Sequence, residues 1–316
     1  MKKIKVLVIV GPTASGKTGL SVELAKLLGG EIVSADSMQI YKNMQIATAK
    51  PSEDEKQGIP HHLMDFLETD EKYSVGEYVI DADKVITEID SRGNLPIVCG
   101  GTGLYIDSLL KGMSFTENSS DEKLREELQA AGYSKGPEYL LDILKNIDFV
   151  SYQRLAAQKN IKRIARAIEF YKKTGTPISQ QNDINSVKEY KYDCLILGLT
   201  ANNREVLYDR VNKRVDIMVE NGLLDEAKAV LSSDLSQTAS KAIGYKELTP
   251  YFNGEKPLDE CIERLKIETR HYAKRQLTWF RRNADINWIN IDEFKNQKEV
   301  LNYSLKLIKE RGFLNG

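Results

Sequence analysis

The 316-residue chain is 29% charged and 41% hydrophobic, a composition typical of a globular protein and unlike that of a disordered or membrane-embedded one. Its net charge of −1 gives no overall attraction to a polyanion. Because the three cysteines are odd in number and lack C-x-x-C spacing, the sequence supports neither a disulfide framework nor a zinc site. No signal-peptide pattern is present, so a cytoplasmic location is expected.

The first third of the chain alternates predicted strands and helices. The apolar run VLVIV predicts a strand buried on both faces of a parallel sheet. The order that follows is β-α-β-α-β-α, which predicts a parallel sheet with right-handed crossovers. The predicted elements are strand 6–10, helix 17–28, strand 31–36, helix 76–93, strand 95–100 with a glycine turn to 103, and helix 104–112.

Beyond Phe115 the pattern changes to helices alone as far as Lys173. The predicted helices are 121–132, 137–147 and one long helix over 151–175. A polar loop, a strand over 192–200, helices over 203–231 and 258–282 and a last strand over 286–291 then follow. We therefore expect an α/β core of residues 1–115 and 190–316, interrupted by an all-helical insertion domain of residues 116–189.

The segment GPTASGKT lies between the first strand and the first helix and fits the phosphate-loop pattern G-x-x-x-x-G-K-[ST]. The pattern predicts a P-loop NTPase-like sheet whose loop amides and helix N-terminus hold phosphates. Lys17 would reach the outer phosphates, and the Thr18 hydroxyl would bind Mg²⁺ as a cofactor. The predicted nucleotide- or diphosphate-binding residues are Gly11, Pro12, Thr13, Ala14, Ser15, Gly16, Lys17 and Thr18.

The phosphate loop does not by itself identify the reaction. An ATP-binding kinase or ATPase usually carries an acid after a second strand, and here the late strand ends in CGGTG without one. Asp36, which ends another strand, could bind a metal or a substrate. The loop could therefore hold a diphosphate that departs, and an ATP-dependent kinase remains an alternative.

Two segments are strongly basic within this neutral chain. Residues 154–173 and residues 264–282 each contain seven basic residues and one acid, and the second includes Trp279 and Phe280. Such segments are often only solvated helix faces. Two of them, one with embedded aromatic residues, predict a nucleic-acid-binding surface.

Several motifs together resemble the tRNA dimethylallyltransferase family. They run in order along nearly the whole chain: GPTASGKT, SADSMQIYKNMQIATAKP, GIPHHLMD, GGTGLYIDSLLKG, KRIARAIE, KAIGYKEL and KRQLTWFRR. The resemblance implies transfer of a dimethylallyl group from dimethylallyl diphosphate to N6 of the adenosine at tRNA position 37, next to the anticodon. The products would be N6-isopentenyladenosine and diphosphate.

The resemblance also implies roles for individual residues. Asp36 would be the general base, Arg214 would bind the donor diphosphate, and Thr102 would lie between the donor and the target nucleotide. Arg210 could equally be a solvated surface residue. The implied tRNA contacts are Asp36, Ser37, Met38, Gln39, Thr102, Arg125, Lys162, Arg163, Ile164, Ala165, Arg166, Lys241, Gly244, Tyr245, Lys246, Lys274, Arg275, Gln276, Trp279 and Arg281.

Both basic segments coincide with implied tRNA contacts, which favours an RNA substrate, the anticodon stem-loop of a tRNA. A monomeric enzyme is expected. One departure is AAQKN at residues 156–160, where the family often has an HPND-like turn. Three alternatives remain: a kinase, a prenyltransferase acting on free adenine nucleotides, and a non-catalytic RNA-binding protein. The three histidines lack metal-ligand spacing, so they predict structural or RNA-proximal positions.

Overall fold

Six strands form one parallel sheet in the computed structural model, which describes residues 3–113, 121–184 and 189–313. The strand order is β3-β2-β4-β1-β5-β6, and each neighbouring pair is parallel. The predicted α/β fold is therefore confirmed. The strands are β1 (Lys5–Val10), β2 (Gly30–Ser34), β3 (His61–His62), β4 (Leu95–Gly100), β5 (Asp193–Thr200) and β6 (Ile286–Asn290).

Helices account for most of the remaining structure. Among those in the described ranges, none combines the length and the apolar character that crossing a bilayer requires. The helices are α1 (Lys17–Leu28), α2 (Glu53–Lys56), α3 (Val75–Ser91), α4 (Gly103–Leu110), α5 (Glu122–Lys135), α6 (Pro137–Ile147), α7 (Phe149–Ala156), α8 (Ile161–Thr174), α9 (Ile178–Ile184), α10 (Arg204–Glu220), α11 (Leu223–Leu231), α12 (Thr249–Phe252), α13 (Leu258–Phe280) and α14 (Gln297–Glu310).

The chain divides into two compact units. The core unit comprises Met1–Leu110 and Lys191–Gly316, and the helical unit comprises Lys111–Tyr190. All six strands belong to the core unit, whereas the described residues of the helical unit contain only helices. The expected boundary at residues 115 and 116 lies outside the described residues.

The centre of the sheet explains why the core unit folds as it does. Every residue from Val6 to Val10 is fully buried, because β1 lies between β4 and β5 with helices over the sheet. Leu7 and Ile9 share one apolar cluster with Leu24 of α1 and Ile308 of α14. The carboxyl ends of β1, β2, β4 and β5 meet at one edge of the sheet, where ligands bind in folds of this class.

Two predicted long helices are each divided in two, so those predictions were wrong. The helix expected over 151–175 is interrupted after α7, where Lys159 has a φ of 47° and the Asn160 side chain caps α8 by accepting the Arg163 N–H. The helix expected over 203–231 is interrupted at Gly222, whose φ of 95° begins α11. In both places the apolar spacing continues across the interruption. Local turn and capping interactions therefore determine where each helix ends and the next begins.

The helical unit has its own apolar core. Leu128 of α5, Leu140 and Leu144 of α6, and Ile164 and Ile168 of α8 form one buried cluster. Gly132 is needed where α5 approaches α6, because a Cβ there would lie 2.7 Å from the Leu140 side chain. Helix α9 was not expected, since its polar sequence reads as part of a loop.

Candidate active site

A cavity of about 350 Å³ lies at the carboxyl edge of the sheet, within the core unit. The phosphate loop forms one end of it, and α10 and α13 contribute side chains to its wall. Many residues predicted from the sequence to act in binding or catalysis line this one cavity: Thr13, Lys17, Thr18, Asp36, Ser37, Met38, Gln39, Arg214, Lys241, Gly244, Lys246, Arg275 and Gln276.

The phosphate loop connects β1 to α1 in a conformation that requires its glycines. Gly11 has a φ of 145°, and a Cβ there would lie 2.4 Å from the Leu199 carbonyl oxygen of β5. Gly16 begins α1 with a φ of 96°. Pro12, Ala14 and Ser15 complete the loop and are buried. The loop is thus packed tightly against the sheet, as a fixed anion-binding nest requires.

Lys17 points back over the loop from the first turn of α1. Its Nζ donates a hydrogen bond to the Pro12 carbonyl oxygen at 2.8 Å. Burial lowers the pKa of Lys17 to about 8, an effect that the nearby Arg214 cation increases and the Asp36 carboxylate opposes. A bound diphosphate would favour the charged ammonium, so this lysine is placed to gain interaction energy from an anionic ligand.

Asp36 follows β2 at the same edge of the sheet. Its Oδ1 accepts the Met38 N–H at 2.9 Å, so the carboxylate fixes the turn that follows the strand. Burial raises the pKa of Asp36, although the Met38 N–H and the Lys17 ammonium both favour its ionised form. A buried carboxylate with a raised pKa is a stronger proton acceptor than an ordinary aspartate.

Arg214 and Arg210 contact the loop from successive turns of α10 but do different things. The Arg214 Nη1 donates to the Thr13 hydroxyl at 3.2 Å, and its side chain lines the cavity. The Arg210 Nε donates to the Ala14 carbonyl oxygen at 2.8 Å. Burial lowers the pKa of both guanidiniums. Arg214 therefore faces a ligand on the loop, whereas Arg210 supports the loop backbone.

Helix α13 braces the loop against the turn after β4. Gln276 is 6% exposed; its Oε1 accepts the Thr13 N–H at 2.9 Å, and its Nε2 donates to the Gly101 carbonyl oxygen at 3.0 Å. One turn away, the Trp279 Nε1 donates to Asp107 at 2.8 Å, and the indole leaves no room for a Cβ on Gly103. Gln276 and Trp279, both predicted tRNA contacts, thus have packing roles inside the core unit.

Thr102 joins the turns that follow β2 and β4. Its hydroxyl accepts the Ser37 N–H at 3.0 Å and lies 3.3 Å from the Ser37 hydroxyl, while its own N–H donates to the Ala35 carbonyl oxygen at 3.0 Å. Gly100 permits this approach, because a Cβ there would lie 2.2 Å from that same oxygen. Thr102 therefore positions the residue next to Asp36.

No sequence pattern indicates how the irregular segment 38–50 is held. Glu226 of α11 accepts three consecutive backbone N–H groups, from Gln45 at 2.8 Å, Ile46 at 2.6 Å and Ala47 at 2.9 Å. The Tyr245 hydroxyl donates to the same carboxylate at 3.0 Å. This places Tyr245, a predicted tRNA contact, beneath the surface, where it is 2% exposed. Glu226 fixes the cavity wall formed by residues 47–49.

The other predicted tRNA contacts fall into exposed and internal groups. Lys274 and Arg281 are exposed on the core unit. In the helical unit Lys162 and Arg163 are exposed, whereas Ile164 and Ala165 are fully buried. Arg125 and Arg166 bind the buried Glu169 at 2.7 Å and 3.0 Å, so both have an internal ion-pairing role.

Thr18 provides a hydroxyl at the cavity edge beside Lys17. Within the described ranges no group of three or more His, Cys, Asp or Glu side chains could hold a metal ion. Mg²⁺ usually retains waters and takes one or two protein oxygens together with substrate phosphate oxygens. The Thr18 hydroxyl and the Asp36 carboxylate are oxygen donors of the kind that this ion prefers.

Comparison with known proteins gives consistent results over nearly the whole chain. The family model described as IPP transferase matches residues 39–283. The tRNA dimethylallyltransferase of Acetivibrio thermocellus is 48% identical, covering 94% of this chain and 95% of that protein. The corresponding protein of Alkaliphilus oremlandii is 48% identical, with 98% of each chain covered.

Two solved structures are also similar. The full-length tRNA isopentenylpyrophosphate transferase of Bacillus halodurans matches with a TM-score of 0.70 and 42% identity, covering 98% of each chain. A eukaryotic dimethylallyltransferase described as acting on tRNA matches with a TM-score of 0.83 and 31% identity, covering 98% of this chain and 80% of that one.

Proposed function

The chain belongs to the IPP transferase family, and on that premise we propose that it transfers a dimethylallyl group from dimethylallyl diphosphate to tRNA. The acceptor is N6 of the adenosine at position 37, and the products are N6-isopentenyladenosine and diphosphate. The observation that carries this proposal is one cavity in which the phosphate loop and the partly buried carboxylate of Asp36 face the same space.

Asp36 supports the proposed reaction as its general base. The exocyclic amine of adenine is a weak nucleophile because its lone pair is delocalised into the ring. As the bond from N6 to the first carbon of the donor forms, the carbon–oxygen bond to diphosphate breaks and takes its electron pair with it. The proton lost from N6 passes to Asp36, whose raised pKa favours its acceptance.

The residues around the loop support the departure of diphosphate. The Lys17 ammonium supplies positive charge to the leaving group. The Arg214 guanidinium donates a hydrogen bond to the Thr13 hydroxyl at the same end of the cavity. Because these groups are held by the loop and α10 before the ligand arrives, they stabilise the developing negative charge without reorganisation. Thr18 would hold Mg²⁺, and the ion would supply further neutralisation of the diphosphate charge.

We propose that the tRNA is recognised through its anticodon stem-loop. An adenine stacked in that loop cannot reach a buried carboxylate, so the base must leave the stack and enter the cavity. Exposed cations at Lys162, Arg163, Lys274 and Arg281 would contact the phosphate backbone. We expect the chain to act on this substrate in the cytoplasm and as a monomer. Light scattering would measure its mass in solution.

A labelled-donor assay tests the function. Radiolabelled dimethylallyl diphosphate is incubated with the protein, Mg²⁺ and one of three acceptors: tRNA, the same tRNA with guanosine at position 37, or AMP. We expect label only in the first tRNA. EDTA should stop the transfer, and excess Mg²⁺ should restore it.

The rival functions give different results in the same assay. A kinase would consume ATP and transfer no prenyl group, and a nucleotide prenyltransferase would label AMP. A non-catalytic RNA-binding protein would retain tRNA on a filter and leave the donor intact. Each of these results would contradict the proposed function.

A further inference from the structure

Helix α10 contributes one charged and one apolar side chain to the lining of the cavity. Arg214 contacts the phosphate loop, and Met218 lines the cavity one helical turn further on. Four residues of α-helix advance by about 6 Å. Helix α13 likewise contributes Gln276, which contacts the loop, and Leu265, three turns away, to the lining. A ligand anchored on the loop therefore extends toward Met218.

A second apolar part of the lining is held by hydrogen bonds. Ala47 packs against the same apolar cluster as Met218 and also lines the cavity, and its N–H is one of the three that bind the Glu226 carboxylate. Gly244, which also lines the cavity, packs against Ala47, because a Cβ on Gly244 would lie 2.8 Å from the Ala47 Cβ and 3.9 Å from the side chain of Leu223, the first residue of α11. The contact with Gly244 and the hydrogen bond to Glu226 hold Ala47 in place.

From this arrangement we propose that Met218 sets the length of the allylic chain that the enzyme accepts, an inference that rests on the proposed function. With carbon–carbon bonds of about 1.5 Å, a dimethylallyl chain spans roughly 4 Å and a ten-carbon geranyl chain roughly 9 Å. The shorter chain fits within the single turn between Arg214 and Met218. The longer chain meets the methionine side chain and the fixed wall at Ala47.

Met218 is suited to removal because its side chain is only partly buried and packs at the edge of an apolar cluster. Shortening its side chain leaves in place the loop contact of Arg214 and the hydrogen bonds that Glu226 accepts from residues 45–47. Val219 provides the matched control: it follows Met218, packs against the same cluster and does not line the cavity. A general loosening of α10 would affect both variants alike.

The test compares dimethylallyl and geranyl diphosphate as donors to tRNA for the wild type, Met218→Ala and Val219→Ala. The wild type should strongly prefer the five-carbon donor. Met218→Ala should raise the geranyl-to-dimethylallyl ratio of kcat/KM by about tenfold or more, mainly through faster geranyl transfer. Val219→Ala should keep the wild-type ratio within about twofold.

A binding measurement separates this inference from the proposed function. Calorimetric titration with the unreactive S-thiolodiphosphate analogues of the two donors should show the same change in relative affinity. An unchanged ratio for Met218→Ala in both the transfer and the binding measurement would overturn the role of Met218. A wild type that binds the dimethylallyl analogue but transfers nothing to tRNA would contradict the function, and the binding ratios would still decide the chain-length proposal.

Discussion

Two carboxylates at opposite ends of β2 have opposite environments. Glu31, near the start of the strand, accepts hydrogen bonds from the Arg92 guanidinium at 2.8 Å and the Asn94 amide at 2.8 Å, and His62 lies 2.6 Å away. Burial opposes the ionisation of Glu31, but these partners hold its pKa at about 2. Asp36, beyond the other end, has a pKa raised by burial.

The two ends of β2 therefore have separate roles, one structural and one chemical. Glu31 is satisfied by side chains from β3 and from the end of α3, so its charge contributes to stability. Asp36 accepts backbone N–H groups of the turn that follows it and otherwise lines the cavity, so burial makes its ionised form costly and favours proton uptake. Perturbed groups of the second kind concentrate at functional sites.

The largest expected effect is on the rate of transfer when Asp36 is neutralised. Asp36→Asn keeps an oxygen that can accept the Met38 N–H and removes the proton acceptor, so kcat should fall by about 100-fold or more. Because the folded-state pKa of Asp36 is raised, the variant should be as stable as the wild type or more stable.

Glu31→Gln is the matched control on the same strand and should keep nearly full transfer activity. Steady-state kinetics and thermal unfolding of both variants provide the comparison. Equal losses of activity in the two variants would remove the distinction between the ends of β2.

The second effect is on the pH dependence of donor binding through Lys17. Its pKa of about 8 means that the free protein loses this cation as pH rises through 8. Affinity for inorganic diphosphate should then fall by up to about tenfold per pH unit above that value. Calorimetric titration between about pH 6.5 and 9.5 measures this loss.

Lys17→Arg should flatten that pH profile, because arginine remains charged. Lys17→Met should bind diphosphate weakly throughout. Lys26→Met, on the exposed side of the same helix, should behave like the wild type. If the diphosphate affinity of Lys17→Arg still falls above about pH 8, a group other than Lys17 causes the pH dependence.

A smaller effect is expected at the brace between α13 and the loop. Gln276→Leu removes both hydrogen bonds and leaves the buried Thr13 N–H and Gly101 carbonyl without this partner. We expect about 1–3 kcal/mol of destabilisation and a loss of donor affinity of roughly tenfold. Thr278→Ala, which changes an exposed hydroxyl on the same helix, is the control. Weakened tRNA binding with unchanged donor affinity would favour a direct tRNA contact instead.

The smallest effect on activity is expected at Glu31, whose role is in stability. Its folded pKa lies below its ordinary value of 4.5, so its stabilisation is complete above that pH and is lost as pH falls through about 2. Glu31→Gln should lower the unfolding free energy by about 2 kcal/mol at neutral pH and flatten its dependence on pH below 4.5. Urea titrations at a series of pH values measure both. If the unfolding free energy of Glu31→Gln falls at acid pH as steeply as that of the wild type, other carboxylates cause the fall.

Local patterns predicted much of this molecule correctly. The phosphate loop and the helix after it depend on residues adjacent in sequence, so the motif and the apolar spacing were sufficient. Strand β3 was missed because its two histidines carry no strand pattern, and the ends of α7 and α10 depend on turn chemistry.

The long-range contacts could not be predicted in the same way. The brace from Gln276 to Thr13 and the clamp from Glu226 to residues 45–47 join positions far apart in sequence. Gln276 lies in a basic run that suggested RNA contact, and Glu226 is an ordinary helix acid until the fold brings segment 38–50 to it. No periodicity or spacing rule marks such residues.

The most direct test of the account is the pH dependence of single-turnover transfer, with donor and tRNA saturating. If Asp36 accepts the N6 proton, the wild-type rate should fall about tenfold per pH unit below the raised pKa of Asp36, and the residual rate of Asp36→Asn should lack that acid limb. A variant that keeps the same acid limb, or a rate close to that of the wild type, would contradict the account.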